Sequence, residues 1–320
     1  MRQANGGIMR LGLDIGGTKI EAVVIDNTGE IIYRERCSTP KQSYGDFFRV
    51  VTDAIVKAMK TVNRPLSVGV GVPGAVDSDG LIKNSNILVL NQQPFARDLE
   101  QTLGIPVPVT NDANCFTLSE AMDGSGRGYG VVFGVILGTG CGGGLCVDNR
   151  LISGPNACAG EWGHNALPRY NEERDGAAVT CYCGQLNCIE SFISGSGLER
   201  QYLNHTTQHA GVPQIMKRVE SGDVDACLLW ERYCDQLARA LAGVVNTLDP
   251  DVIVLGGGVS NIGILYSGLQ ARVAQYVFGK QCRTPIVQAR HGDSSGVRGA
   301  AWLGAQQPAT ATTRMMTHDQ

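Results

Sequence analysis

The sequence lacks the features that mark membrane, secreted and nucleic-acid-binding chains. None of its apolar runs approaches the roughly 20 residues that span a bilayer. Residues 1–10 lack the apolar stretch of a secretory signal. The formal net charge of −3 provides no basic surface for a phosphate backbone. We therefore expect a cytoplasmic protein with no membrane and no nucleic-acid partner.

Disulfide bonds are not expected to stabilise this chain. An odd number of cysteines, 11, cannot all pair within one molecule, and in a reducing compartment most are expected to be small buried apolar residues. Cys181, Cys183 and Cys188 crowd together and need a separate explanation. Three thiolates and one imidazole form a closed tetrahedral zinc site, and His164 is the expected fourth ligand. Four protein ligands fill the coordination shell, so the predicted zinc is structural.

Glycine is abundant, with 42 residues, and it falls in clusters that follow apolar β-rich runs. The first cluster, Asp14-Ile-Gly-Gly-Thr-Lys19, joins two predicted strands. The N–H groups of Gly16 and Gly17 can form an anion-binding nest, and Thr18 adds a hydroxyl. After Lys19 the chain re-enters a strand rather than a helix, which argues against a P-loop. A plain hairpin turn remains the alternative.

A second cluster repeats this design, and a third allows close approach to the backbone unless it is a plain strand-to-helix turn. Residues 138–144 follow a predicted strand, with Gly138 and Gly140 on either side of the Thr139 hydroxyl. Gly256 and Gly257 end another predicted strand. Three such clusters together favour a nucleotide site over three unrelated turns. No G-x-G-x-x-G segment opens a helix near the N-terminus, which argues against a dehydrogenase.

One carboxylate is a candidate catalytic base. Asn111 and Asp112 follow a predicted strand at 107–109 and precede a predicted helix. A carboxylate at a strand end can accept the proton of an attacking hydroxyl, as phosphoryl transfer requires. Asp112 also suits the N-cap of the following helix, and the residues alone leave both interpretations open.

Polar residues set among glycines suggest a sugar site. Glu161, His164 and Glu190 could bind vicinal hydroxyls, although each one alone is more often a surface or capping residue. The order of predicted elements indicates one α/β lobe over about residues 9–115 and a second over 116–295, with weak internal symmetry. Residues 1–8 and the polar tail 306–320 are expected to be disordered.

These segments together resemble the ROK family of sugar kinases and repressors. The resemblance rests on Asp14-Ile-Gly-Gly-Thr-Lys19, Gly160-Glu-Trp-Gly-His164, Cys181-Tyr-Cys-Gly-Gln-Leu-Asn-Cys188 and the run from Asp249 to Gly258, and it covers about residues 9–304. Within the family the chain looks closest to bacterial fructokinases of the manno(fructo)kinase type. N-acetylglucosamine kinases are the nearest rival.

The resemblance implies an actin-like ATPase (ribonuclease H-like) α/β fold, with two lobes around a ligand cleft and a helix at about 296–305 completing the first lobe. ATP and Mg²⁺ would lie against the glycine clusters, and Asp112 would be the base. The implied sites comprise, for nucleotide, Asp14, Gly16, Gly17, Thr18, Lys19, Gly138, Thr139, Gly140, Gly256 and Gly257; for sugar, Asn84, Asn111, Asp112, Glu161, His164 and Glu190; and for zinc, His164, Cys181, Cys183 and Cys188.

The implied activity is a hexose kinase, with D-fructose as the expected substrate and mannose, glucose or N-acetylglucosamine as alternatives. A non-catalytic sugar sensor is the alternative of another class. Family repressors carry a helix-turn-helix domain ahead of the Asp14 segment, and we expect none here. The family also suggests a homodimer. One departure is Asn187, which stands where the family has glycine before the last cysteine; Asn tolerates a left-handed backbone, so we expect the metal site to survive.

Overall fold

In the computed structural model, residues 9–64 and 66–306 are described. The predicted disordered segments 1–8 and 307–320 lie outside this range. Of the predicted tail only Gln306 is described, and it lies in the turn that follows the last helix, with its side-chain amide donating to the carbonyl of Asn149 at 2.6 Å. No helix within the described ranges is long and apolar enough to cross a bilayer.

The strands of the described residues form two five-stranded sheets and one small hairpin. They are β1 Met9–Ile15, β2 Lys19–Ile25, β3 Ile31–Ser38, β4 Leu66–Val72, β5 Ala75–Val76, β6 Ile82–Lys83, β7 Val109–Asn111, β8 Val131–Leu137, β9 Cys141–Val147, β10 Arg150–Leu151, β11 Val252–Gly256 and β12 Ile286–Gln288. The first sheet has the order β3-β2-β1-β4-β7 and the second the order β10-β9-β8-β11-β12, while β5 pairs with β6.

The two five-stranded sheets are built alike. In each, the first three strands along the order pair antiparallel and the last three pair parallel. The internal symmetry expected from the sequence is therefore present in the backbone. The carboxyl ends of β1, β4, β7, β8 and β11 lead directly into the cleft, which is where ligands bind in sheets of this kind.

Helices cover the sheets and connect them. They are α1 Tyr44–Val62, α2 Phe95–Leu103, α3 Asp112–Met122, α4 Glu172–Asp175, α5 Glu190–Ile193, α6 Gly195–Thr206, α7 Val212–Glu220, α8 Val224–Leu248, α9 Leu269–Ala274 and α10 Ser295–Leu303. Their ends follow local chemistry. The Ser43 hydroxyl accepts from the N–H of Asp46 to begin α1, and Asn63 ends that helix in the left-handed conformation.

Helices α3 and α10 pack against each other and against strands of the first sheet, and α3 also contacts the second sheet. Glycine permits these close contacts. A Cβ on Gly299 of α10 would overlap the carbonyl of Cys115 in α3, and one on Gly12 of β1 would overlap the backbone of Val297. The fold is α/β with two sheets around a cleft, as expected. The boundary predicted at 115/116 falls inside α3, and the division into lobes stays a prediction.

Candidate active site

Two cavities adjoin at the carboxyl ends of the parallel strands. The larger, of about 980 Å³, is lined among others by Asn84, Asn111, Asp112, Gly138, Thr139, Gly140, Glu161, His164, Cys183 and Glu190. The smaller, of about 350 Å³, is lined among others by Asp14, Gly16, Gly17, Asp112, Gly256 and Gly257. Asp112, Asn86 and Ile136 line both. The candidate sugar residues therefore gather in the larger cavity, whereas five of the ten candidate nucleotide residues line the smaller one. Gly138, Thr139 and Gly140, predicted for the nucleotide, line the larger cavity instead.

Asp112 is held at the junction of the two cavities by the start of α3. The helix cap is Asn111, whose side-chain oxygen accepts from the N–H of Asn114 at 2.8 Å. The interpretation of Asp112 as the cap was wrong, because the strand extends to Asn111 and Asp112 is already the first helical residue. Its Oδ1 accepts from the N–H of Ala113 at 2.9 Å, which aims the carboxylate.

The side chain of Asp112 is exposed to the solvent in the cavities, but protein atoms lie close to its carboxylate on the other sides. This partial burial raises the pKa of Asp112 above its ordinary value, and the hydrogen bond from Ala113 opposes the shift. Because the side chain still reaches water in the open cleft, we expect the shift to grow when ligands displace that water. A raised pKa makes a carboxylate a stronger proton acceptor, which is what a general base needs.

Asp14 is the penultimate residue of β1 and lines the smaller cavity. Burial, the charge of Asp112 and the charge of Glu21, in that order, raise the pKa of Asp14 to about 6, and Lys19 opposes them. The backbone of Gly296, at the start of α10, approaches this carboxylate so closely that a Cβ there would lie 3.1 Å from its oxygen. The half-buried carboxylate therefore has neighbouring acids and little compensation, a situation that a bound cation relieves.

The glycines beside the cavities are not all required by the backbone. Gly16, Gly17 and Gly138 do not adopt left-handed angles. A Cβ on Gly17 or Gly138 would meet nothing nearer than 3.7 Å and 3.9 Å respectively. Absent side chains at these points leave room for a ligand to approach the backbone.

Gly257 differs from these glycines. It has a φ of 82°, and a Cβ there would overlap the carbonyl of Leu137 on β8. Here glycine is required by the packing of β11 on β8, whatever ligand binds. Gly258, the next residue, has open space where a side chain would be. The cluster at 256–258 thus combines a structural glycine with an open approach to the smaller cavity.

The sugar-side residues are fixed by contacts to β9. Trp162 is buried, and its indole N–H donates to the carbonyl of Gly142 at 3.1 Å, which anchors the short 3-10 helix Trp162–His164. Glu190 begins α5, and its carboxylate accepts from the N–H of Cys141 at 2.8 Å. Burial raises the pKa of Glu161, which lines the same cavity. Glu190 therefore ties the sugar side to the glycine turn at 138–140.

The predicted metal ligands come together. The ligand atoms of His164, Cys181, Cys183 and Cys188 all lie within 4.8 Å of one another. The Nδ1 of His164 is 3.6 Å from the Sγ of Cys181, and the sulfurs of Cys183 and Cys188 are 3.6 Å apart. Ligand atoms of a tetrahedral zinc with Zn–S bonds of about 2.3 Å lie roughly 3.8 Å apart, so the four residues fit such an ion.

Asn187 behaves as its residue type predicts. Its φ of 56° is left-handed, and its side-chain oxygen accepts from the N–H of Val179 at 2.9 Å, a bond that glycine cannot make. Backbone bonds join the same two residues and also Asn187 to Leu167. Asn187 in place of the family's glycine therefore keeps the hydrogen bonds that hold together residues 179–188, called the cysteine loop below.

Some predicted residues lie elsewhere, and others were missed. Thr18 and Lys19 are exposed and line neither cavity; the Nζ of Lys19 is 4.0 Å from the carboxylate of Glu21. Cys181 and Cys188 are buried behind the cavity wall. Sequence reasoning missed Asn86, which closely follows the predicted Asn84 in the chain. It also gave no role to the loop at 290–296, which supplies Gly292, Ser295 and Gly296 to the smaller cavity.

Comparison with known proteins agrees with this geometry. The sequence model described as ROK family matches residues 10–307. The N-acetylgalactosamine kinase AgaK of Shewanella sp. (strain ANA-3) is 40% identical over 297 residues, which cover 92% of this chain and 96% of that protein. The N-acetyl-D-glucosamine kinase of Photobacterium profundum is 39% identical over 303 residues, with 93% and 100% covered.

Solved structures have the same fold. The ROK hexokinase of Thermus thermophilus superposes with a TM-score of 0.83 at 30% identity, covering 92% of this chain and 97% of that one. A ROK family glucokinase of Streptomyces griseus, in complex with glucose and AMPPNP, gives a TM-score of 0.73 at 28% identity, covering 93% and 100%. These similarities define the class as an actin-like sugar kinase fold.

The chain belongs to the ROK family. The prediction of an ATP-dependent sugar kinase is thereby confirmed at the level of the class. The finer prediction of a fructokinase is not confirmed, because AgaK of Shewanella and the Photobacterium profundum protein are named as kinases of acetamido sugars.

Proposed function

We propose that this protein is an ATP-dependent kinase of N-acetyl-D-hexosamines, with N-acetylglucosamine or N-acetylgalactosamine as substrate and Asp112 as general base. The observation that carries the proposal is the position of Asp112, whose carboxylate lies on the wall shared by the two cavities. A base for phosphoryl transfer must reach the sugar hydroxyl while that hydroxyl faces the γ-phosphoryl group, and only such a shared position allows both.

The proposed reaction is a single displacement. A sugar hydroxyl in the larger cavity gives its proton to the carboxylate of Asp112 as its oxygen attacks the γ-phosphorus of ATP. The bond from the γ-phosphorus to the bridging oxygen breaks, and ADP leaves with the electron pair. Backbone N–H groups of Gly17, Thr139 and Gly140 would hold the phosphate oxygens, a contact that preorganises charge stabilisation. The N–H groups of Gly16 and Gly138 instead close their own turns, donating to the carbonyls of Lys19 at 2.9 Å and Gly140 at 3.0 Å.

Asp14 is better suited to a cation than to a phosphate, because like charges repel. Its half-buried carboxylate, with a pKa raised to about 6 by burial and neighbouring acids, fits the Mg²⁺ that accompanies ATP. Mg²⁺ in this place would neutralise charge on the phosphates. We therefore assign Asp14 the role of holding the cation and the glycine turns the role of holding the phosphates.

The cysteine cluster is proposed as a structural zinc site. His164, Cys181, Cys183 and Cys188 would fill all four positions, leaving none for a substrate. The Nδ1 atom of His164 faces Cys181, while its Nε2 is 3.1 Å from the hydroxyl of Tyr182 at the larger cavity. His164 would hold the metal through Nδ1, and a sugar hydroxyl would bind its Nε2 in place of the Tyr182 hydroxyl. About one zinc per chain is expected by elemental analysis, and a fully active metal-free protein contradicts the assignment.

An acetamido sugar replaces fructose as the proposed substrate on the strength of the relatives, which are about 40% identical over nearly the whole chain. The larger cavity supports this choice because its volume leaves room for an acetamido group. Its wall near the β5–β6 hairpin includes the apolar side chains of Ala75 and Val76, and that of Ala157 lies on the loop at 156–158. Discrimination among hexoses depends on which hydroxyl or amide finds its hydrogen bonds.

An assay of ADP release tests the proposal. N-acetylglucosamine, N-acetylgalactosamine, glucose, mannose and fructose should be compared at equal concentration, and we expect the two acetamido sugars to give the highest kcat/KM. A preference for fructose would favour the fructokinase expected from the sequence. ADP release with none of the sugars would favour the non-catalytic sensor and refute the kinase.

Asp112→Asn tests the base. We expect it to bind sugar normally, measured by calorimetry, while kcat falls by about 10²–10⁴-fold, the usual contribution of a general base. Asp53→Asn is the matched control, because Asp53 lies exposed on α1 and lines neither cavity. Near-normal turnover of Asp112→Asn would refute the role of Asp112. A cytoplasmic location, where ATP is held and thiols stay reduced, accords with the proposal; the homodimer stays a prediction.

A further inference from the structure

One buried carboxylate outside both cavities has no role in the chemistry above. Glu120 lies on α3, two turns beyond Asp112, and its side chain is 0% exposed. It lines neither cavity, so it touches no substrate. No salt bridge to Glu120 is present among the described residues. Burying an unpaired charge is unfavourable unless hydrogen bonds compensate for the lost water.

Hydrogen bonds from two loops satisfy this carboxylate. Its Oε2 accepts from the N–H of Ser125 at 2.9 Å and of Arg290 at 3.0 Å. Its Oε1 accepts from the N–H of His291 at 3.3 Å and from the hydroxyl of Ser295 at 3.0 Å. Three of the four donors belong to the segment 290–295, which is far from Glu120 in the sequence.

That segment forms a wall of the smaller cavity. Gly292, Ser295 and Gly296 line this cavity and do not line the larger one. Gly292 has a left-handed φ of 54°, so the loop turns sharply between two of the residues that Glu120 holds. The carboxylate therefore connects α3, which carries Asp112, to the loop that borders the nucleotide side.

We infer that Glu120 is a positioning residue for the nucleotide site: it holds the loop at 290–296 in place and thereby sets the affinity for ATP without contributing to sugar binding. This inference rests on the proposed assignment of the smaller cavity to the nucleotide. Hydrogen bonds to a charged group are among the strongest in proteins, so three bonds to one loop form an effective anchor.

Glu120→Gln is the test variant, because an amide nitrogen would face N–H donors that need an acceptor. We expect the KM for ATP and the Kd for ADP to rise roughly tenfold, the effect of losing one such bond. The KM for the sugar should stay within about twofold of the wild type. Amide hydrogen exchange should also become faster at 289–296.

Asp175→Asn is the matched control. Asp175 is likewise a buried carboxylate, 1% exposed, that lines neither cavity. It pairs with Arg239 of α8, which also donates to the carbonyl of Pro168 at 2.7 Å, and so holds the segment between His164 and Cys181. We expect the opposite pattern from this variant, a raised KM for the sugar with the KM for ATP little changed.

If Glu120→Gln does not fold, Glu120→Asp serves instead, because it keeps the carboxylate and withdraws its oxygens by one methylene from the donors at 290–295. Equal losses for both substrates, or an unchanged Kd for ADP in a folded variant, would overturn the inference while leaving the proposed function standing. A wild-type protein that binds neither ATP nor ADP would instead overturn the proposed function, and this inference with it.

Discussion

The cysteine loop allows a prediction whose size can be worked out from Asn187. Two features stabilise this residue: the left-handed φ of 56°, which Asn tolerates better than Ala, and the 2.9 Å hydrogen bond from Val179 to its side chain. Asn187→Ala loses the bond, worth about 1 kcal/mol, and adds left-handed strain of about 1 kcal/mol. Its free energy of unfolding should fall by about 2 kcal/mol.

Asn187→Gly separates the two contributions. Glycine adopts the left-handed backbone freely but makes no side-chain bond, so the loss should be only about 1 kcal/mol. Urea unfolding of the three proteins, each with its metal content measured, should rank their free energies of unfolding as wild type highest, Asn187→Gly next and Asn187→Ala lowest. We expect Asn187→Ala to lose zinc to a chelator sooner than the wild type, because the loop that carries Cys183 and Cys188 opens more often.

Asn63→Ala is the control for this series. Asn63 ends α1 with a φ of 48°, and no side-chain hydrogen bond of Asn63 is present among the described residues. Asn63→Ala should therefore lose only the left-handed strain of about 1 kcal/mol and keep the metal affinity of the wild type. An Asn187→Ala variant as stable as the wild type, or a glycine variant less stable than the alanine variant, would show that neither the side-chain bond nor the left-handed backbone stabilises this loop.

Three further predictions concern charge and packing. Asp14→Asn should stabilise the ligand-free protein by about 1–2 kcal/mol at neutral pH, discounted because the carboxylate is half-buried, and abolish turnover. This gain in the free energy of unfolding should be present at pH values above the folded pKa of about 6 and should vanish as the pH falls towards the ordinary pKa of 3.8. Urea unfolding that gives the same gain at pH 7 and near pH 3.8 would contradict the prediction. Gly299→Ala should lower the free energy of unfolding, measured with urea, by about 2–3 kcal/mol, because the added Cβ overlaps the backbone of Cys115. Gly243→Ala, whose added Cβ has only ordinary contacts, should leave that free energy unchanged or raise it. Since burial raises the pKa of Asp112 and the base must be unprotonated, kcat should fall as pH is lowered; a kcat that stays flat until unfolding counts against it.

Much of the architecture followed from local patterns. Apolar runs ended by glycine or by Asn111 predicted the central strands, although the strand before Asp112 is Val109–Asn111 rather than 107–109. The end of this strand is set by its pairing with β4, and the local sequence carries no information about that neighbouring strand. The same uncertainty about the strand end made Asp112 look like the helix cap instead of Asn111.

The candidate site divides in the same way. The residues to which the proposed function assigns roles, namely the glycine turns, the proposed Cys and His metal ligands and the carboxylate Asp112, could be picked out from the sequence, because each pattern spans only a few residues. Tertiary packing settled which of them meet. It placed Asp112 between two cavities, left Thr18 and Lys19 outside, and joined Glu120 to a loop 170 residues away. Such contacts depend on how the two sheets and the helices between them pack, and the spacing of residues within a short segment does not encode contacts between residues so far apart in the chain.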